Sequence, residues 1–413
     1  MLLKNDHELV SPSPMEEATV SHGSLELPVE ILTDILSMLE IPDLLRAGCV
    51  CSSWHTAYTI LLSSGLYKRQ QTPCLFYTSK SAGDDAAFLY SLAEKRVYKL
   101  TLPEPLIRSM YLIGSSNGWL VTADERSELH IVNPITGEQI ALPSVTTIEQ
   151  VKPIFDDLGS VQECELMQYY GEEEIGDPYV LTLDKLRDKL YVKAFVFSDA
   201  SMGRYIVVLI HNPICQLSFA LEGDSKWTWL PPGADYEDCI YVDGLLYAIT
   251  CLGGIHAFDV TGPAVLRKVI MEDMRQYGYE RMYIVEAPSG DLLQVLRDQN
   301  VANGNTPERD RLQVTMETRK IMIYKVGMAA KELLKVSTLD EYVLFLGYSQ
   351  SLCLSVQEYP QLKANHVYLT DDDRDVAFWN TVVAIYVLST WKITAKKKSW
   401  LLSHGVTGQL QFG

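Results

Sequence analysis

Leu27-Pro28-Val29-Glu30-Ile31-Leu32-Thr33-Asp34-Ile35-Leu36 opens a stretch that continues through Leu39 and Pro42-Asp43-Leu44-Leu45-Arg46 to Val50-Cys51-Ser52-Ser53-Trp54. Ile31, Leu32, Ile35, Leu36 and Leu39 recur at three- and four-residue steps, so one helical face carries them. Pro28 suits the first helical position, where its missing N–H costs nothing. Pro42 is expected to break that helix, and Asp43 to cap a second one carrying Leu44, Leu45 and Val50. Ser52 or Ser53 starts a third, with Trp54, Tyr58 and Leu61 or Leu62 facing inward. Three helices of about ten residues cannot bury all these side chains among themselves. Some of that apolar surface is expected to meet another domain or another protein.

The organisation changes on either side of this helical unit, which is bounded at residues 24–68. Residues 1–23 lack periodicity and read as a disordered lead. Residues 72–393 are short apolar and aromatic runs punctuated by Gly, Asn, Asp and Pro, the pattern of many strands joined by turns. Two segments read as loops: acidic Phe155 to Tyr179, with Glu172, Glu173 and Glu174, and polar Arg297 to Arg311. Residues 394–413 carry Lys396, Lys397, Lys398 and three glycines, and read as a divergent, poorly ordered tail.

A unit recurs in the strand region. An aliphatic and aromatic strand ends in a polar turn at His130-Ile131-Val132-Asn133-Pro134, Ile255-His256-Ala257-Phe258-Asp259, Ile321-Met322-Ile323-Tyr324 and Ala384-Ile385-Tyr386-Val387. Phe88-Leu89-Tyr90 is a weaker copy. Gly118-Trp119-Leu120-Val121, Gly244-Leu245-Leu246-Tyr247 and His366-Val367-Tyr368-Leu369 precede three of these units. Such repeats favour a β-propeller of six or seven blades over a β-sandwich, because they outnumber what one sandwich holds. The fold class expected is therefore multidomain: a small all-α unit followed by an all-β propeller.

Composition narrows the function. The formal net charge is −18, against the basic footprint that nucleic acid or an anionic membrane demands. No apolar run approaches membrane-spanning length, and no signal-peptide core or glycosylation sequon is present. The eight cysteines lack zinc spacing and read as buried free thiols in a reducing compartment, cytoplasmic and/or nuclear. No nucleophile elbow, phosphate-binding loop or zinc-protease motif appears, so neither catalytic residues nor cofactors are expected. Asp371, Asp372, Asp373 and Asp375 read as a turn rather than a cation site.

The order L-P-x-E, D-L-L-R, V-C-x-x-W between Leu27 and Trp54 resembles the F-box motif. Gly114 to Leu120, Asn133 to Pro143, Lys226 to Pro231 and His366 to Asp372 resemble the plant F-box family with a KIB-type β-propeller. The family usually closes on a short proline-rich ending, from which residues 394–413 depart. The resemblance implies docking on a Skp-type adaptor, and through it on a cullin scaffold. Leu27, Pro28, Ile31, Leu32, Leu44, Leu45, Val50 and Trp54 would form or support that interface, with Trp54 equally suited to internal packing. It implies a non-catalytic substrate receptor of an SCF (Skp–cullin–F-box) E3 ubiquitin ligase, whose propeller binds an unknown target protein. The alternatives are a propeller binding module outside a ligase and a propeller enzyme with a catalytic cluster in its channel.

Overall fold

Apolar residues at helical spacing become three short helices: α1 (Val29–Ser37), α2 (Ile41–Gly48) and α3 (Ser52–Ser63). The computed structural model describes residues 27–64, 73–78, 86–92, 94–101, 111–134, 137–170, 173–174, 176–199, 203–230, 234–262, 264–274, 280–301, 316–370, 384–387, 396–397 and 411–412. Contacts divide the chain into two units, Met1–Gln71 and Thr72–Gly413. The helical unit is centred on Leu32, Leu36, Leu44, Ala47, Ala57 and Leu61, with Trp54, Tyr58 and Leu62 packed around them. Its boundaries differ from the sequence expectation at two prolines. Pro28 is the N-cap of α1 rather than its first residue. Pro42 lies in the first turn of α2, which starts from an extended Glu40; proline is tolerated there because that N–H has no helical acceptor. Asp43 therefore sits inside α2 and pairs with Arg46 one turn on, instead of capping the helix.

The second unit begins with β1 (Cys74–Thr78), β2 (Ala86–Ser91) and β3 (Arg96–Thr101). A second sheet holds β4 (Tyr111–Ser116), β5 (Trp119–Ala123), β6 (Leu129–Val132) and β7 (Gln139–Ala141). An insertion follows: β8 (Val151–Phe155), β9 (Val161–Leu166), the small hairpin β10 (Tyr169–Tyr170) and β11 (Glu173–Glu174), β12 (Tyr179–Thr182) and α4 (Leu183–Leu190). Three further sheets are β13 (Tyr191–Asp199) to β16 (Thr228–Trp229) through β14 (Arg204–His211) and β15 (Gln216–Leu221); β17 (Tyr236–Val242), β18 (Leu245–Thr250), β19 (Ile255–Asp259) and β20 (Leu266–Met271); and β21 (Glu280–Glu286), β22 (Leu292–Val301), β23 (Met316–Gly327) and β24 (Glu332–Val336). The last sheet is built from β25 (Tyr342–Leu346), β26 (Leu352–Ser355), β27 (His366–Leu369), β28 (Ala384–Val387) and β29 (Lys396–Lys397), and β30 (Gln411–Phe412) pairs with β1.

Side chains alternate across a strand, and here both faces are buried. Ala194 and Val196 pack toward the β4–β7 sheet, while Phe195 and Phe197 pack toward β17–β20. Cys239 and Ile240, Met282 and Tyr283, and Phe345 and Leu346 divide in the same way between successive clusters. The chain of clusters closes. Phe76 meets Leu112 and Leu120 between the first two sheets, and Leu75 meets Phe345 and Tyr368 between the first and the last. Among the described residues, six sheets thus follow one another in a ring, the packing of a β-propeller. The insertion interrupts the chain but not the ring, because β4 approaches β13 directly. A Cβ on Gly114 would fall 2.1 Å from the Ala194 carbonyl oxygen, which only glycine avoids.

The recurring sequence unit has one structural place. It falls on β2, β6, β19, β23 and β28, each with a sheet partner on both sides. β15, with Leu217 and Phe219, is a sixth such strand that the sequence repeat does not include.

Two loop expectations are corrected. Within Phe155 to Tyr179, β9 pairs with both β8 and β12, because Cys164 and Leu166 alternate with Glu163 and Glu165 and send one apolar face into the core. Arg297 to Val301 continues β22 against Met316–Ile321, so the polar stretch begins as strand. The four described tail residues are paired: Lys396 and Lys397 with β28, Gln411 and Phe412 with β1. The remainder of the tail, residues 1–23 and Asp371 to Asp375 lie outside the described residues.

Candidate functional site

Two places concentrate unusual side chains: the outside of the helical unit and the inner strands of the propeller. On the helical unit, the amphipathic faces of α1 and α3 close over one another, and residues off that face stay outside. Leu27 is 47% exposed, Ile31 46% and Val50 64%, and Pro28 is exposed beside them in sequence. Leu45 and Trp54 are half-buried, with Trp54 packed against the core. Leu32 and Leu44 are fully buried, so they shape the surface from beneath and cannot touch a partner. The eight residues singled out in the sequence therefore separate into four exposed, two half-buried and two core positions. Sequence reasoning missed Met38 and Ile60, both exposed. Met38, one residue past α1, stands three residues after Ile35 and seven after Ile31, so it lies on the same side of the helix as exposed Ile31, at the border of the apolar stripe.

Cys49 and Cys51, expected to be buried, are exposed. They flank the turn where α2 ends and α3 begins, outside the faces that pack together. All eight cysteines are free, and Cys164, Cys239 and Cys353 are buried.

The inner strands of three consecutive sheets share a device. β4 is bulged between Leu112 and Gly114, β13 between Tyr191 and Lys193, and β17 between Tyr236 and Asp238. A bulge re-aims the next side chain. Lys193 and Asp238, the residues after two of these bulges, meet with Nζ 2.9 Å from Oδ1 and almost no solvent exposure. Ser351 Oγ donates to Asp238 Oδ2 at 2.7 Å, and Ile284 N donates to the same oxygen at 3.2 Å. Lys193 Nζ also lies 5.3 Å from the Phe195 ring centroid and 5.7 Å from that of Tyr283, within cation–π range. Ser115 Oγ donates to Ser349 Oγ at 2.9 Å, and Gln350 N to Ser115 O at 3.2 Å. This polar knot joins five of the six sheets. Burial pushes the Asp238 carboxyl upward, while Lys193 and the hydrogen bonds pull it back.

Chemically the knot is a fastener: its charges are mutually satisfied and closed to solvent. Among the described residues, no three His, Cys, Asp or Glu side chains are grouped to hold a metal ion, and no helix is long and apolar enough to cross a membrane.

Comparison with known proteins agrees with both units. Residues 24–64 match the F-box-like domain, and residues 89–380 match the KIB1-4 beta-propeller. F-box only protein 7 of Arabidopsis thaliana is 25% identical over 252 residues, 60% of this chain and 60% of that protein. F-box protein KIB4 of the same plant is 24% identical over 254 residues, 57% of this chain and 59% of that protein. The alignments thus span under two thirds of these relatives' length. With 292 residues matched to the KIB1-4 beta-propeller, and the F-box-like domain matched ahead of them, the chain belongs to the KIB1-4 beta-propeller family of F-box proteins.

Proposed function

We propose that this chain is the substrate-recognition subunit of an SCF-type E3 ubiquitin ligase, acting in the cytoplasm, the nucleus or both. The carrying observation is the exposure of Leu27, Pro28, Ile31 and Val50 on a helical unit whose own core is already filled. Apolar side chains left outside a complete core are what a permanent partner covers. In this reading the F-box-like helices dock on a Skp-type adaptor, which joins a cullin scaffold. The propeller holds a target protein, and a conjugating enzyme on the same scaffold transfers ubiquitin to a target lysine. The chain itself supplies binding and orientation, and the rate gain comes from holding lysine and thioester together. Co-purification of the full chain with recombinant Skp adaptor and cullin tests the first step. A stable ternary complex supports the reading, and failure to retain the adaptor would overturn it.

A further inference from the structure

The sheet inserted between the second and third members of the ring has no role in closing that ring. Its strand order is β12-β9-β8, which leaves β12 at an edge. Edge strands present unpaired N–H and C=O groups and are normally covered or blunted. Among the described residues β12 pairs with β9 alone; Tyr179 is 59% exposed and Val180 53%, and the tip of the β8–β9 hairpin adds exposed Phe155 and Leu158.

The outer face of this sheet is set by register. Val180 stands opposite Glu165, and Thr182 opposite Glu163, while Cys164 and Leu166 point to the core. Residues 151–182 hold eight acidic residues and one basic residue, Lys152. Eight negative charges against one positive give −7, out of a chain total of −18. Where β12 ends, an open depression of about 580 Å³ continues the track, lined by Glu125, Arg126, Gln162, Thr182, Asp184 and Arg187.

We propose that β12 receives an extended, lysine- or arginine-rich segment of the ligase target as an added strand, with its basic side chains on the face that Val180 shares with Glu163 and Glu165 and its apolar side chains beside Tyr179 on the other face. Main-chain pairing at an open edge supplies affinity, and alternate side chains supply specificity. The charge selects the occupant: a second copy would bring another −7 to the same edge, and nucleic acid is repelled outright. This inference deepens the receptor reading and rests on it for the identity of the partner.

The test titrates the full chain against a fluorescein-labelled decapeptide of alternating Lys and Val, and against its Glu-Val counterpart, by fluorescence anisotropy. The basic peptide is expected to bind and the acidic one not. Tyr179→Ser with Val180→Ser, and separately Glu163→Gln with Glu165→Gln, are each expected to weaken binding tenfold or more. Circular dichroism and adaptor co-purification should be unchanged in both variants. The inference is overturned by no binding of the basic peptide, by equal binding of the acidic one, or by unchanged affinity in the Tyr179/Val180 variant. A dimer that the same variant dissolves would also overturn it, by giving the edge to a second copy. Because adaptor binding is read separately, peptide failure with the adaptor retained sinks only the β12 assignment.

Discussion

Lys193 and Asp238 are 45 residues apart and belong to adjacent sheets, yet their side chains meet at 2.9 Å with their charges closed off from water. Each follows a bulge in its own strand, and Asp238 also accepts from Ser351 across the ring. A buried pair of this kind contributes little over a well-packed apolar pair, but breaking it strands the surviving charge.

The first prediction follows from that asymmetry. Asp238→Ala is expected to lower the unfolding free energy by about 3–5 kcal/mol, since it leaves the Lys193 ammonium uncompensated. Lys193→Met with Asp238→Leu should lose much less. Urea denaturation of the single and double variants measures the difference. Equal losses would mean that packing volume, not charge, dominates at this place.

Acid should expose a second buried group. His211 is fully buried, with Nδ1 2.9 Å from the Asn212 carbonyl oxygen and Nε2 2.8 Å from Ser218 Oγ. Burial pulls its pKa from 6.5 down to about 4. Between those values the unfolded chain binds a proton that the folded chain refuses. Stability is therefore intact above pH 6.5 and falls as pH drops toward 4, by about 3 kcal/mol over the window. His256, also held at about 4 by burial and then by Arg267, acts in the same direction. Unfolding free energies measured from pH 7 to 4 should show the fall, and His211→Asn should flatten its steepest part.

Local regularity decides which elements are legible in the sequence. The three helices and the recurring strand motif can be read there because both rest on periodicity within a dozen residues. Pro42 misleads because a proline at the first turn of a new helix looks like a terminator of the old one. The β9 strand is hidden by its own charges: Glu163 and Glu165 mark the outer face of an alternating strand, and read as a polar run they suggest a loop. The Lys193–Asp238 pair is invisible for a different reason. Nothing in Tyr191-Val192-Lys193-Ala194 or Tyr236-Glu237-Asp238-Cys239 says which distant strand will lie beside it. Likewise the exposed and buried members of the set expected at an adaptor interface, Ile31 and Leu32, are neighbours in one amphipathic pattern. Only the packing of α3 on α1 tells them apart.

Gly114 offers a test of the ring itself. Its missing side chain lets β4 lie against β13, and a Cβ would meet the Ala194 carbonyl at 2.1 Å. Neither partner is a flexible side-chain end, so the two sheets must move apart. Gly114→Ala is expected to cost about 2–4 kcal/mol, in the upper range for overpacking a core. Gly118→Ala, in the Asn117–Gly118 turn that directly follows the same strand, changes a residue with a positive φ but open space around it. It should cost about 1 kcal/mol through backbone strain alone. Thermal denaturation of the pair separates steric contact from backbone conformation.

The final prediction sets Ile31 against Leu32. The two are adjacent in α1, of equal size and equally apolar, but Ile31 is 46% exposed while Leu32 is 1% exposed at the centre of the helical unit. Leu32→Ala opens a cavity among Leu36, Leu44 and Leu61 and should destabilise that unit by about 2–5 kcal/mol. Any loss of adaptor binding in that variant will track the loss of helical structure and will be partly restored by cooling. Ile31→Asp removes no core contact and should leave the unfolding curve within about 0.5 kcal/mol of the parent. In the proposed docking it places a carboxylate in an apolar interface, where an unpaired charge costs several kcal/mol on burial. Adaptor affinity should therefore fall a hundredfold or more while the fold persists. Isothermal titration with the purified adaptor, beside circular dichroism of each variant, reads both quantities. If Ile31→Asp binds as the parent does, the adaptor uses some other face of these helices, and Met38 and Ile60 become the exposed apolar residues to test next.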